Sequence, residues 1–323
     1  MADSTLDLVG THQGQFVLSE QIASGPYSRS FLARRGDTDE FSVFKVAKSQ
    51  SECARTSENI FQTESRVVME GGTAVVHPNC SKLLKAQYHR LKHSSMPPFV
   101  KTFDNMEISG SSAYSMEFLG RKSVRQEESV PTKLLAKLAR ELHEFSVEYP
   151  ELYHGDIKPE NMILHGEGEA AAIHLIDPGF YGELMCEEGL DFNIAVTTPI
   201  YYPFMRPDDL LAFGIVLWEL ACGQHPLDPA LLEGPIDNIG ETLKQWTKQY
   251  ENVGQYFLSP ITHLRLPGKT NPAIGAGLEA FLLQAIRLQV DADGLLQCGP
   301  GFESFEEFAD VLEQLADQNV LSL

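Results

Sequence analysis

The sequence predicts an α+β fold in which a strand-rich first third is followed by a larger helical part. Strand-like alternation of apolar and polar residues recurs before residue 121, in the runs 15–18, 22–33, 41–48, 99–106 and 113–120. Helical spacing dominates after residue 130, in the runs 130–145, 210–222, 239–250, 278–288 and 305–315. With 323 residues the chain can form one two-lobed domain or two small ones, with a sizeable core in either case.

Composition and charge exclude several classes of protein. Hydrophobic residues make up 43% of the chain, which is typical of a globular protein and not of a disordered one. The formal net charge of -20 argues against binding nucleic acid or an anionic membrane through bulk electrostatics. The same charge is compatible with basic peptide partners, although acidic composition alone usually reflects solubility.

Cysteine usage and the first residues predict a cytoplasmic protein. The five cysteines are scattered and include no C-x-x-C pair, so neither a zinc site nor a disulfide framework is expected and a reducing compartment fits. The first basic residue is Arg29, preceded by Asp3 and Asp7, which argues against a secretory signal peptide. The most apolar stretch, 210–222, is short and contains Glu219, so we interpret it as a buried helix and not as a membrane span.

The chain begins with a polar segment, 1–14, that we interpret as a loose N-terminal extension. The run 22–33 then predicts a strand, a tight turn at Gly25 and a second strand. On its own, this pattern is that of an ordinary hairpin.

The next predicted strand and helix carry charged residues. The run 41–48 alternates like a strand and contains Lys45 and Lys48, which have opposite parity and therefore face opposite sides. Residues 59–69 have helical spacing, and Glu64 lies one turn from apolar residues on either side.

The stretch from His154 to Leu164 places a carboxylate, an ammonium and an amide close together in the sequence. It reads His-Gly-Asp-Ile-Lys-Pro-Glu-Asn-Met-Ile-Leu. The carboxylate of Asp156 can accept a proton from an attacking hydroxyl, and Lys158 can neutralise charge on a phosphoryl group in transfer. Asn161 offers an oxygen to a hard cation, and a second carboxylate, Asp177, follows another apolar run. Asn161 and Asp177 would therefore make a two-ligand Mg²⁺ site, completed by phosphate oxygens and water.

These two segments resemble the catalytic and magnesium-binding loops of the protein kinases, whose patterns are H-R-D-L-x-x-x-N and D-F-G. The spacing from Asp156 to Asn161 agrees with the family, whereas Gly155 stands at the Arg position and Pro178 at the Phe position. The resemblance covers nearly the whole chain, which is identified as a divergent member of the eukaryotic-like Ser/Thr protein kinases.

The resemblance implies a bilobal protein-kinase-like fold with a small β-rich N-lobe and a larger helical C-lobe. The implied boundaries are an N-terminal extension at 1–14, the N-lobe up to the hinge at 15–120, and the C-lobe at 121–323.

The resemblance also assigns roles around the implied cofactors, ATP and Mg²⁺. Asp156 would orient and deprotonate the substrate hydroxyl, Lys158 would stabilise the transferring phosphoryl group, and Asn161 and Asp177 would hold the metal. Lys45 matches the V-A-I-K lysine, and Glu64 is the acid expected to pair with it. The other residues implied for ATP binding are the retained glycine of the glycine-rich loop, two hinge positions and two apolar residues around adenine: Gly25, Glu117, Leu119, Val43 and Ile163.

The segment after Asp177 departs from the family in part. Residues 180–200 show no clear periodicity and are interpreted as the activation segment, in which Thr198 resembles the threonine that contacts the catalytic Asp and Lys. The Glu of the A-P-E motif is absent, and so is the Arg that pairs with it in the family. Loss of both partners leaves no unpaired buried charge. Asp209 begins a helix that resembles the D-V-x-x-F-G helix, and it would hold the catalytic-loop backbone.

Gly155 has a regulatory implication. In family members with Arg at this place, the Arg pairs with a phosphate on the activation segment, and glycine cannot do so. Activity is therefore expected not to depend on phosphorylating Thr197, Thr198 or Tyr201 through that contact.

The implied function is transfer of the γ-phosphoryl group of Mg·ATP to a serine or threonine hydroxyl of a protein substrate, with no nucleic-acid or membrane partner. Two alternatives stay open. The H-G-D and I-D-P triplets also resemble small-molecule phosphotransferases of the aminoglycoside, choline and fructosamine kinase type, although Lys158 and Thr198 argue against that group. A catalytically weak pseudokinase scaffold would suit the thin glycine loop, but a scaffold has no need to keep Lys45, Asp156, Asn161 and Asp177.

Overall fold

The computed structural model of the chain describes residues 8–25, 27–49, 65–69, 72–74, 80–93, 96–185, 191–198, 201–202, 207–229, 261–264, 267–290 and 296–317. Its strands are β1 (His12–Gln13), β2 (Phe16–Ser24), β3 (Ser28–Arg35), β4 (Phe41–Ala47), β5 (Ser65–Met69), β6 (Gly72–Ala74), β7 (Thr102–Ile108), β8 (Ser111–Glu117), β9 (Met162–His165), β10 (Ala172–Leu175), β11 (Phe180–Met185), β12 (Asp191–Val196), β13 (Leu227–Pro229), β14 (Ile261–Leu264), β15 (Leu288–Val290) and β16 (Leu296–Cys298). Its α-helices are α1 (Cys80–His93), α2 (Thr132–Glu148), α3 (Asp209–Cys222), α4 (Pro267–Thr270), α5 (Ala276–Ile286) and α6 (Phe305–Asp317).

A six-stranded antiparallel sheet with the order β1-β2-β3-β4-β8-β7 forms the first part of the molecule. Strand β4 is buried on both faces, because Phe44 and Val46 enter an apolar cluster on one side while Val43 and Lys45 face the other. The segment before residue 15 also contributes to this sheet, since Leu8 is buried in the same cluster and β1 pairs with β2.

Helix α1 packs against this sheet through strands β8, β7 and β4. Its buried side chains include Leu83, Leu84 and Leu91, which recur at helical spacing and share the core with the face of β4 that bears Val43. The helix is otherwise polar and basic, and it contains no Asp or Glu.

The helix expected over 59–69 is wrong in its second half, because Ser65–Met69 is strand β5. The adjacent β-branched pair Val67 and Val68 favours a strand once a neighbouring strand is present. Glu64, expected as the partner of Lys45, lies outside the described residues.

The second part of the molecule is built around α3, which is buried on all sides as its continuous apolar sequence predicts. Gly214 lets α5 approach, since a Cβ there would lie 2.2 Å from the carbonyl oxygen of Ala285. Asp208 caps the helix start by accepting from the Leu211 amide at 3.1 Å, and Gly223 ends it in a left-handed conformation at φ 69°. Helices α2 and α6 pack against each other beside this core.

The loop expected over 180–200 is instead largely a β-hairpin. Strands β11 and β12 pair with each other, and β12 pairs with β5 in the order β11-β12-β5-β6, so that Ile194 lies opposite Val67. The expectation failed in part because β12 also pairs with β5, which lies more than a hundred residues earlier in the chain, and such non-local pairing leaves no periodic signal within the segment.

Three further expectations concern single elements. Cys80, at the start of α1, is disulfide-bonded, which contradicts the expectation of a chain without disulfides. The helix expected over 239–250 lies outside the described residues. None of the helices in the described ranges combines the length and apolarity that a membrane crossing requires.

Candidate active site

A cavity of about 410 Å³ lies between the six-stranded sheet and the helical part. Apolar walls come from Val43 and Met116 on the sheet, from Ile163 on β9 and from Leu119 in the connection after β8. Asp177 contributes a carboxylate to the lining. The cavity therefore combines a slot for a flat apolar ring system with an acidic group.

The residues expected around ATP fall at different places relative to this cavity. Val43, Glu117, Leu119 and Ile163 line it. Gly25 is not among its lining residues and instead closes the β2–β3 turn, with its amide donating to the Ser28 carbonyl at 2.9 Å.

Two backbone groups at the end of β8 and in the connection after it are already engaged. The Glu117 amide donates to the carbonyl of Lys101 at 2.9 Å, and the Leu119 carbonyl is 2.8 Å from Nδ1 of His165, which donates to it. The Glu117 carbonyl and the Leu119 amide are therefore the groups of these two residues that suit contact with a ligand.

Asp156 is the centre of a tight polar cluster. Its Oδ2 accepts from Nδ2 of Asn161 at 2.8 Å and lies 3.0 Å from Nζ of Lys158. Its Oδ1 accepts from the Thr198 amide at 2.8 Å, and Nζ of Lys158 donates to Oγ1 of Thr198 at 2.6 Å. The structure thus brings four of the sequence-predicted site residues together, with one acceptor position left on Oδ1 of Asp156.

The backbone before Asp156 is held from the buried helix α3. Asp209 accepts from the amides of His154 at 2.6 Å and Gly155 at 2.8 Å, which confirms the role expected for it. Tyr202 adds a bridge, because its hydroxyl accepts from the Ile157 amide at 2.7 Å and donates to Asp209 at 2.7 Å. Burial raises the pKa of Tyr202, so the hydroxyl stays neutral and able to donate.

The imidazole of His154 is buried and joins the two chemically important segments. Its Nε2 lies 2.9 Å from the Ile176 carbonyl, and its Nδ1 lies 3.2 Å from the Asp156 amide. These contacts define a neutral ring that donates through Nε2 and accepts through Nδ1. Desolvation lowers the pKa of His154 and outweighs the nearby charge of Asp209, which acts in the opposite direction.

Gly155 occupies a position that favours glycine over residues with a side chain. Its φ of 78° lies in the left-handed region, and a Cβ there would meet the rings of Tyr153 at 3.0 Å and Tyr181 at 3.1 Å. An arginine at this place would therefore require both a strained backbone and movement of two aromatic rings. This geometry explains the departure from the H-R-D pattern.

Asp177 lies at the junction of the sheet and the helical part. Its Oδ1 is 2.6 Å from Nζ of Lys45, which is only 5% exposed. Nδ2 of Asn161 donates to the Asp156 carbonyl at 2.9 Å and the Asp177 carbonyl at 3.3 Å, so Oδ1 of Asn161 is left for another partner. One amide oxygen and one carboxylate are hard oxygen donors, and they fit a Mg²⁺ ion that takes its remaining ligands from phosphate and water.

A second polar network was missed from the sequence. The guanidinium of Arg125 reaches Glu219 at 2.6 Å, Glu160 at 2.8 Å and the Tyr201 hydroxyl at 2.7 Å. It thereby joins the catalytic loop, helix α3 and the end of the segment that contains Thr198. Burial acts to raise the pKa of Glu219, but the hydrogen bond and charge of Arg125 outweigh it, so the carboxylate has a lowered pKa and stays ionised. The four residues are far apart in sequence, and no local signal connects them.

No protein-family model matches the chain. Among curated proteins, it is 24% identical over 283 residues to the protein kinase C eye isozyme of Drosophila melanogaster, a match that covers 85% of this chain and 37% of that protein. It is also 24% identical over 165 residues to mitogen-activated protein kinase kinase 1c of Physcomitrium patens, covering 47% of each chain. The chain spans less than half the length of the curated relatives it matches.

Solved structures of protein kinase domains have the same fold as this chain. The PknI kinase domain of Mycobacterium tuberculosis, in two variant forms, aligns with 95% of this chain and 98% of its own, with TM-scores of 0.51 and 0.50 and identities of 14% and 13%. The chain therefore has the bilobal protein-kinase fold, and the expected resemblance to the eukaryotic-like protein kinases is confirmed.

Proposed function

We propose that this protein is an ATP-dependent serine/threonine protein kinase. The observation that carries the proposal is the convergence of Asp156, Lys158, Asn161, Asp177 and Thr198 beside a cavity with apolar walls. The resemblance to protein kinases over 85% of the chain supports the same activity. The cavity would take the adenine ring between Val43 and Ile163, with the phosphates directed toward Lys45.

The proposed reaction relies on positioning and electrostatics. The substrate hydroxyl would donate to the free acceptor position on Oδ1 of Asp156, while Lys158 faces the phosphoryl group in transfer. Thr198 holds Lys158 through its hydroxyl and Asp156 through its amide, so the ammonium and the carboxylate stay at a fixed separation. This contact favours a protein substrate, since Thr198 comes from the segment against which a substrate chain would lie.

Asn161 and Asp177 would hold Mg²⁺, which supplies positive charge that screens the phosphate oxygens. Lys45, now paired with Asp177, would turn to those oxygens when nucleotide is present. Because Lys45 is almost completely buried, it has few other places to direct its charge.

The activity should not require phosphorylation at the three hydroxyls of this segment. Thr197 donates to the Gly155 carbonyl at 2.8 Å, Thr198 accepts from Lys158, and Tyr201 donates to Glu219 at 2.6 Å. All three residues are buried, so a phosphate at any of them would displace an existing contact. Phosphatase-treated protein is therefore expected to keep its activity.

The decisive experiment incubates purified protein with Mg·ATP and a basic acceptor protein and follows phosphate by intact mass. The variant Asp156→Asn keeps the shape of the side chain and removes the base, so transfer should fall by about 10²–10⁴-fold. The matched control is Glu107→Gln, which changes an exposed carboxylate on β7 and should leave transfer unchanged.

Three other outcomes would redirect the assignment. Transfer that survives in Asp156→Asn would contradict the proposed role of that carboxylate. Phosphorylation of a free sugar or amine, with no protein acceptor, would favour a small-molecule phosphotransferase. If a thermal-shift assay shows no nucleotide binding, the protein is a kinase-like scaffold.

A further inference from the structure

The three consecutive carbonyls of Asp177, Pro178 and Gly179 are each bound by a side chain from elsewhere in the chain. Asn161 donates to the first at 3.3 Å, Gln87 Nε2 donates to the second at 2.7 Å, and Arg90 Nη1 donates to the third at 2.6 Å. Two of the three donors therefore come from helix α1.

These contacts matter because the backbone of Asp177 is held in an unfavourable conformation. Its φ of 55° lies in the left-handed region, which is unfavourable for a residue with a side chain. Pro178 follows directly and is buried, so its carbonyl needs a donor from elsewhere in the fold. The conformation of Asp177 thus persists only while its neighbours hold it.

The two α1 donors are themselves held in place independently of Asp177. The Arg90 guanidinium lies 4.2 Å from the centre of the Tyr153 ring, and the Tyr153 hydroxyl donates to the Tyr181 carbonyl at 2.9 Å. Gln87 is 8% exposed and lies one helical turn from Arg90, on the same face of α1. The helix therefore presents a preformed pair of donors to the segment.

Helix α1 also connects this segment to Lys45. Its leucines pack against the sheet that contains β4, and it has no carboxylate to offer to Lys45. Among the described residues, the acid in ion-pair contact with Lys45 is Asp177 itself. The influence of α1 on the phosphate end of the cavity therefore runs through the backbone of Asp177 and not through an acid on the helix.

We propose that Gln87 and Arg90 are positioning residues that orient the Asp177 carboxylate for magnesium by holding the carbonyls of Pro178 and Gly179. The inference rests on the proposed function only for the identity of the metal, since the contacts themselves belong to the protein without ligand.

The test compares nucleotide affinity in Mg²⁺ and in EDTA for Gln87→Met, Arg90→Met and the double variant, using ADP and isothermal titration. The gain in affinity on adding Mg²⁺ should fall about tenfold in the double variant, because a misdirected Asp177 is a poorer ligand. Affinity in EDTA should stay within about twofold, since the apolar walls that would hold the adenine ring are untouched. Lys85→Met, on the exposed side of α1, is the control and should leave both affinities unchanged.

A second readout needs neither nucleotide nor metal. Hydrogen exchange of the backbone over 174–181 should be faster in the double variant than in the parent protein or in Lys85→Met, while α3 keeps its protection as proof of folding. Arg90→Lys retains a donor and should restore part of the protection.

The outcomes separate this inference from the proposed function. If the parent protein shows no magnesium-linked gain at all, the proposed metal site fails, and unchanged exchange over 174–181 would then overturn the positioning role as well. If the parent shows the gain and the double variant keeps it in full, Gln87 and Arg90 do not position Asp177.

Discussion

Replacing Gly155 with alanine tests the account of the catalytic-loop backbone. The added Cβ would have to sit 3.0 Å from the Tyr153 ring and 3.1 Å from the Tyr181 ring, on a backbone with φ 78°. Both problems are local, because the amide of Gly155 is fixed by Asp209 and cannot shift without losing that bond.

The expected loss of stability has two parts. The left-handed backbone conformation costs about 1–2 kcal/mol for a non-glycine residue. Overpacking against two partly buried rings adds about 1–3 kcal/mol. The free energy of unfolding should therefore fall by about 2–5 kcal/mol in Gly155→Ala.

Gly223→Ala is the matched control, because Gly223 has a similar φ of 69° but no atom lies within 4 Å of the place that a Cβ would occupy. It should lose only the conformational part, about 1–2 kcal/mol. Urea denaturation of both variants gives the two free energies of unfolding. Equal losses in the two variants would refute the steric argument, and they would leave the absence of arginine at residue 155 without a structural cause.

Three further predictions follow from the same geometry. Arg125→Met should lower the free energy of unfolding, measured in urea, by about 2–3 kcal/mol, which is less than for a fully buried pair because Arg125 is partly exposed. The double variant Arg125→Met with Glu219→Gln should lose less free energy than the sum of the two single losses, and additive losses would contradict the pairing. Burial lowers the pKa of His154, so as pH falls the unfolded chain takes up the imidazole proton before the folded protein does. The melting temperature should therefore drop as pH falls below about 6.5, and His154→Asn should make it depend less on pH than in the parent protein. Thr198→Val should lower kcat by about 10-fold or more with little change in stability, whereas Thr198→Ser should retain activity because it keeps the hydroxyl that Lys158 contacts; equal kcat in both variants would exclude that role.

The parts of the fold that were predicted correctly, and the grouping of the candidate site residues, rest on short-range patterns. Helix α3 was recognisable because it is apolar at nearly every position, and Asp209 at its start has a chemically obvious use. Asp156, Lys158 and Asn161 were identified together because a loop of six residues places them close to one another whatever the rest of the chain does.

The helix beside the sheet was misplaced for a physical reason. Residues 59–69 contain apolar residues whose spacing fits a helix, whereas Cys80–His93 is basic and its buried face includes the polar Gln87. Periodicity alone cannot rank the two segments, because a segment such as β5 becomes a strand through pairing with β12, which is distant in sequence. The donors Gln87 and Arg90 were missed together with their helix.

The Arg125 network shows how the chain manages without the A-P-E glutamate. That missing acid and its missing arginine were expected to be lost as a pair so that no buried charge stays unpaired. The structure adds that Tyr201, just after Thr198, is tied to helix α3 by Glu219, with Arg125 neutralising the carboxylate. A half-buried ion pair of this kind adds little net stability, but it restricts the arrangement of the groups it joins. Because those groups come from four separate parts of the chain, only the folded structure could show that the end of the activation segment has an anchor.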